Sequence, residues 1–192
     1  MIPGLEASVP ELSDFENVLI EVGRLNRAQS RALERGKIVQ SRLRAAGIDG
    51  AQALVRLSYT PEQIWEVIAD YASFPRWMHG VRDIPSVEWT TAETARVAYV
   101  MQGPFRDVRY TLIRSHQKPE RVRWTRHSGD LAGIWGGYDL MPETAGTLVR
   151  YWTFVDPGFR VPAPVRAFFT SRGIEQLLAS ARNEIVRRHG DM

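Results

Sequence analysis

The chain has 192 residues, 44% hydrophobic and 24% charged, which is enough apolar material for a folded core and excludes global disorder. It contains no cysteine, which rules out disulfides, thiolate metal sites and cysteine nucleophiles. A net charge of +3 is mildly basic, and such a balance points to nucleic acid only where the cations cluster.

Met1 to Pro10 lacks the basic start and apolar run of a secretory leader, and no stretch approaches the roughly 18 apolar residues of a membrane span. The expected location is cytoplasmic for the sequence as it stands, peripheral to a membrane at most, or exported if a leader has been removed.

In chain order, residues 1–11 read as a loose arm. Ser13 and Glu16 have capping-box spacing, and Phe15, Val18, Leu19, Val22, Leu25 and Leu33 recur near helical spacing. Arg24, Arg27, Arg31 and Arg35 form the opposite stripe, and Gly36 is a stop signal. The pattern predicts one helix over about 13–35, with residues 1–35 appended to a main domain at 36–192. Residues 37–43 and 51–59 read as strands. Thr60-Pro61-Glu62-Gln63 opens a helix that continues through Ile64, Trp65, Val67, Ile68 and Tyr71. Phe74 to Met78 reads as a second, very short helix ending near Gly80.

Five or six strand signals follow, at about 81–89, 94–102, 105–116, 121–128, 133–141 and 147–155, separated by turn chemistry such as Ser128-Gly129-Asp130. Short connections imply antiparallel neighbours. A final helix is expected from about Pro164 to Arg188, with Val165, Phe168, Phe169, Leu177, Leu178, Ala181 and Ile185 as its apolar positions. The predicted fold is α+β: a curved antiparallel sheet of about seven strands around one long C-terminal helix, with an extra N-terminal helix. A strongly bent sheet cannot close tightly on one helix everywhere, so a cavity between them is expected.

Thr60 to Tyr71, followed by Phe74-Pro75-Arg76-Trp77-Met78, resembles the opening of START-like helix-grip proteins, the SRPBCC superfamily. Val155-Asp156-Pro157-Gly158 with Val161-Pro162, then the Arg-rich last helix, resembles its bacterial branch of polyketide cyclase/dehydrase and lipid transport proteins, with coenzyme Q-binding proteins as near relatives. Asp107-Val108-Arg109-Tyr110 also resembles a strand motif of that branch. The resemblance covers about residues 36–188. It implies a hydrophobic ligand cavity; because the superfamily includes carriers, cyclases, hydrolases and receptors, it specifies fold more closely than function.

No P-loop, G-x-S-x-G, H-E-x-x-H or dinucleotide fingerprint is present. His79, His116, His127 and His189 lie far apart without metal-ligand spacing, so neither a metal nor a cofactor is expected. Trp77, Tyr99, Tyr110, Trp124, Tyr138 and Tyr151 are spread over several strands and the short helix. They read either as ordinary core or as apolar cavity walls carrying a few hydroxyls. Strand alternation directs Tyr110 with Leu112, Val122 with Trp124 and Arg126, and Val149 with Tyr151, Thr153 and Val155 inward. Phe168 and Phe169 complete the expected lining. The mouth is placed among Gln102–Pro104, Ser128–Gly133 and Asp156–Val161, beside Trp77 and Met78.

An inward Arg126 needs an anionic partner. It reads either as a ligand anchor, as a pair with Asp107, Asp139 or Glu88, or as a residue turned outward by a kink near the strand end. If Tyr151, Ile134 and Tyr138 point in, then Trp135, Trp152 and Phe154 point out and need cover, from the first helix or a dimer partner. The stripe Arg24/Arg27/Arg31/Arg35 is a solvated face or a contact for anionic lipid. Nucleic acid is not expected, since few aromatics interleave with these arginines. The functional expectation is a protein, monomeric or weakly dimeric, that binds or transfers a lipid, isoprenoid quinone or other polycyclic molecule. The alternative is a polyketide cyclase or aromatase using Arg126, His127, Tyr138 and Asp139.

Overall fold

A computed structural model describes residues 10–103, 106–158 and 172–190. Helices α1 (Leu12–Glu16) and α2 (Arg27–Glu34) precede strands β1 (Val39–Ala45) and β2 (Ile48–Leu57). Helices α3 (Pro61–Ile68) and α4 (Phe74–Trp77) follow. Then come β3 (Val81–Trp89), β4 (Thr94–Met101), β5 (Val108–Gln117), β6 (Arg121–Gly129), β7 (Gly133–Glu143), β8 (Gly146–Asp156) and helix α5 (Arg172–His189). All eight strands form one antiparallel sheet in the order β1-β2-β8-β7-β6-β5-β4-β3. The expected helix residues Pro164 to Ser171, Phe168 and Phe169 among them, lie outside the described residues.

The start of α3 is dictated locally. The Thr60 hydroxyl accepts from the Gln63 N–H at 3.4 Å, the Gln63 side chain accepts from the Thr60 N–H at 2.9 Å, and Pro61 occupies a first-turn position that needs no donor. The inner face of the curved sheet is apolar along β2, β4, β6, β7 and β8. It packs on Ile174, Leu178 and Ile185 of α5 and on Ile64, Val67 and Ile68 of α3.

The single N-terminal helix expected over 13–35 is not formed. A straight helix of 23 residues would run roughly 35 Å and could not follow a convex surface. The segment breaks instead, with a 3₁₀ turn at Val22–Arg24 between α1 and α2. Three signals decide the break. Asp14, not Glu16, closes the first cap by accepting from the Glu11 N–H at 2.9 Å. The Gln52 side chain takes both backbone groups of Ile20, accepting from its N–H at 2.9 Å and donating to its carbonyl at 2.8 Å. Asn26 and Gln29 then form a new capping box that starts α2. Gly36, at φ 67°, ends α2 as its position suggests.

This segment covers the outer face of the sheet. Phe15 is fully buried against Leu43, Trp135, Trp152 and Phe154, with its ring 4.6 Å from that of Trp135. Leu33 packs on Val39, Leu54 and Leu148. The outward aromatics therefore have the cover that alternation demands. Glu16 pairs with Arg123, and Glu21 with Arg150 at 3.0 Å.

Candidate functional site

Two adjoining hollows lie on the inner face of the sheet, beneath α5. The larger, about 110 Å³, occupies the end of the sheet where β4 and β8 finish and β5 and β7 begin; Gly80, Val108, Leu131, Thr153 and Ile174 are among its walls. The deeper one, about 50 Å³, is walled by Tyr99, Leu112, Arg114, Trp124 and Tyr138 with Phe74 and Met78. Met101, Tyr110, Ile134, Tyr151 and Leu177 line both, so the two are continuous along one apolar wall.

Of the residues singled out in the sequence, Met78, Tyr99, Leu112, Trp124 and Tyr138 line the deep hollow, Thr153 the larger one, and Tyr110 and Tyr151 both. Gln102 and Leu131, from two of the loops expected at the mouth, lie on the larger hollow. Trp77 stands apart: its indole N–H donates to Ser73 Oγ at 2.8 Å and its ring meets Phe74 edge-on. Phe168 and Phe169 fall outside the described residues.

Arg126 does not face the hollow. Along β5 and β6, Thr111 pairs with Ser128 but Leu112 pairs with Arg126, so His127 is an extra residue in a bulge. Arg126 still pairs with Leu112 ahead of the bulge, but pairing with β7 stops at Thr125, so it lies past the end of that pair, exposed and donating to the Gly129 carbonyl at 3.1 Å. The carboxylates considered for it are engaged elsewhere. Asp107 pairs with Arg82 at 3.0 Å, Glu88 with Arg96 at 3.5 Å and Asp139 with Arg123 at 2.6 Å. Asp139 sits in the outer-face charge cluster with Arg121, Arg123 and Arg150, and His127 is exposed. Of the four groups expected in a cyclase centre, only Tyr138 reaches the hollow.

The buried cation of the hollow is Arg114, which the sequence reading passed over. It lies two residues beyond Leu112, on the same strand face, so the alternation that placed Tyr110 and Leu112 inward already contained it. Arg114 is 4% exposed. Its guanidinium carbon lies 4.6 Å from the ring centres of both Tyr71 and Trp124, a double cation–π contact. Its Nη1 donates to the Tyr99 hydroxyl at 2.6 Å. Its Nε and Nη2 are buried without a hydrogen-bond partner among the described residues, as is the Tyr138 hydroxyl. Gly136 faces Trp124 across the β6–β7 pair, where an added Cβ would stand 2.4 Å from the indole; glycine is what lets that ring lie flat over Arg114.

Behind Arg114, Tyr71 bonds to His116 Nε2. His116 Nδ1 lies 2.9 Å from the Glu93 carbonyl, which can only accept. The proton therefore sits on Nδ1, and Nε2 accepts from the Tyr71 hydroxyl. Burial holds the His116 pKa below its ordinary 6.5, against the opposing Glu93 bond and with added help from the Arg114 charge. Burial also pushes the Tyr71 phenol up to about 12. Arg114 is thus the permanent charge beside the neutral side chains of Tyr71, Tyr99, Trp124 and His116.

Among the described residues, no cluster of three or more His, Asp or Glu is placed to hold a metal ion, and no helix is long and apolar enough to cross a membrane. The four arginines expected to meet anionic lipid, Arg24, Arg27, Arg31 and Arg35, are all exposed.

The family described as polyketide cyclase/dehydrase and lipid transport matches residues 57–182. No curated protein is close enough in sequence to count as a relative. Among solved structures, the fold is similar to a STAR-related lipid transfer protein from Xanthomonas axonopodis, with 16% identity over 77% of this chain and 93% of that one and a TM-score of 0.66. It is similar to human StAR-related lipid transfer protein 5, with 11% identity over 79% and 83% of the two chains and a TM-score of 0.66. The Zhui aromatase/cyclase from a Streptomyces species matches at 13% identity over 72% and 94%, with a TM-score of 0.63. At these identities the likeness is one of fold.

Proposed function

The chain belongs to the polyketide cyclase/dehydrase and lipid transport family, and from that membership we propose that it binds and carries an apolar small molecule in the hollows beneath α5. The observation that carries this reading is the continuous aromatic and aliphatic wall shared by the two hollows, Met101, Tyr110, Ile134, Tyr151 and Leu177. Apolar ligand surface buried there contributes roughly 25 cal/mol per Å². Lipid transfer proteins and an aromatase/cyclase share the scaffold. Carriage is favoured because the described walls hold no carboxylate, and their imidazole, His79, is exposed. A cyclase reading rests on Arg114 and Tyr138, whose unpartnered groups can polarise a carbonyl oxygen.

N-phenyl-1-naphthylamine, a neutral dye that brightens in apolar surroundings, tests the reading. The protein should bind it saturably, and Leu177→Trp, which fills the space common to both hollows, should weaken binding at least tenfold while circular dichroism stays unchanged. Absence of saturable binding, or equal binding by the folded variant, would reject it.

A further inference from the structure

We propose that the ligand of these hollows is an organic anion whose carboxylate pairs with Arg114; the inference rests on the carrier reading and names the class of molecule carried. An arginine side chain cannot be deprotonated in a protein, and a buried cation without a counter-ion is strongly disfavoured. Arg114 has two ring faces and one neutral hydroxyl around it, which together supply no negative charge. None of the ion pairs among the described residues includes it; Asp70 and Glu184 are both used by Arg188, at 2.9 and 2.8 Å.

The arrangement of the free atoms narrows the class. Nη1 is committed to Tyr99, and the two atoms left over are Nε and Nη2. Those two N–H groups form one edge of the guanidinium and point in parallel, the geometry that receives both oxygens of a carboxylate at once. The rings of Tyr71 and Trp124 both pack on the guanidinium, each centred 4.6 Å from its carbon, so little side-chain freedom remains to be lost on binding. The walls of the deep hollow are aromatic: the Tyr99 and Tyr110 rings stack at 5.4 Å, and Trp124, Tyr138 and Tyr151 pack on one another. Two small adjoining hollows suit a compact, planar body on that carboxylate rather than a long chain.

The test uses a matched pair, 2-naphthoate and 2-naphthamide, competing against N-phenyl-1-naphthylamine near neutral pH. The two are almost the same shape, and only the acid is charged. Wild-type protein should prefer the naphthoate by about 10- to 100-fold, the range of a hydrogen bond to a charged group. Arg114→Met should abolish that preference while still binding the dye, and its thermal midpoint should hold or rise, since a buried charge has gone. If that variant does not fold, Arg114→Gln carries the same comparison. Equal binding of acid and amide by wild type, dye binding that neither naphthalene displaces, or a preference that survives the loss of Arg114 would each overturn the proposal while leaving the carrier reading intact. Failure of the wild type to bind the dye would reject both.

Discussion

Two arginines on neighbouring strands show how far a residue can be read from its neighbours. Arg126 follows Val122 and Trp124 at period two, yet pairing with β7 ends one residue before it, at Thr125, and it is exposed to solvent. Arg114 follows Tyr110 and Leu112 at the same period on a strand that keeps its register from Leu112 onward, and it is buried. His116 continues that face and gives a testable pH dependence. An unfolded histidine binds its proton near pH 6.5, whereas the folded ring resists it because of burial. Between those two pKa values the unfolded chain holds more protons, so stability is lost as pH falls through about 6.5. Chemical denaturation at a series of pH values should show this loss in the wild type and a shallower one in His116→Gln. Superimposable slopes would mean that the Tyr71–His116 pair does not hold the ring neutral.

At the scale of elements, the sheet and the N-terminal segment obey different rules. The strands follow alternation and turn chemistry, and their expected limits lie close to those observed. The N-terminal segment has helical spacing along its length, but its apolar residues serve two separate clusters, one around Phe15 and one around Leu33. What joins them is non-helical chain at Ile20, held by a fully buried Gln52. Replacing Gln52 by Ala removes both partners of a half-buried peptide, at a cost of roughly 1–3 kcal/mol. Urea denaturation should register it, and hydrogen exchange should accelerate at Ile20. If exchange there is unchanged, the segment is held by its apolar contacts alone.

In the whole molecule, one layer of sheet separates two apolar compartments. Ile134, Tyr151 and Thr153 face the hollows while their chain neighbours Trp135, Trp152 and Phe154 face the N-terminal segment. Removing residues 1–35 would strip the cover from three large aromatic side chains. The truncated protein should unfold at a lower temperature and self-associate, as read by scanning calorimetry and sedimentation; an equally stable monomer would show that those rings tolerate water. Two glycines of the sheet each leave room for the ring of a cross-strand partner. An added Cβ at Gly50 would stand 2.4 Å from the Phe154 ring, as one at Gly136 would from Trp124.

Sequence alone determined what depends on near neighbours: the Thr60–Gln63 cap of α3, the stop at Gly36, the antiparallel strands, and the alternation that set Tyr110, Trp124 and Tyr151 on the inner face. These are legible because a cap spans three residues and a strand repeats every two, and both leave their mark within a short window. The tertiary structure decided the rest. The bulge at His127 arises from how β5 and β6 pair, the break at Ile20 from a side chain 32 residues away, and the isolation of Arg114 from two rings that reach it from Tyr71 and Trp124, on separate elements. Whether a buried charge has a partner is a property of three-dimensional distance, and distance along the chain does not encode it.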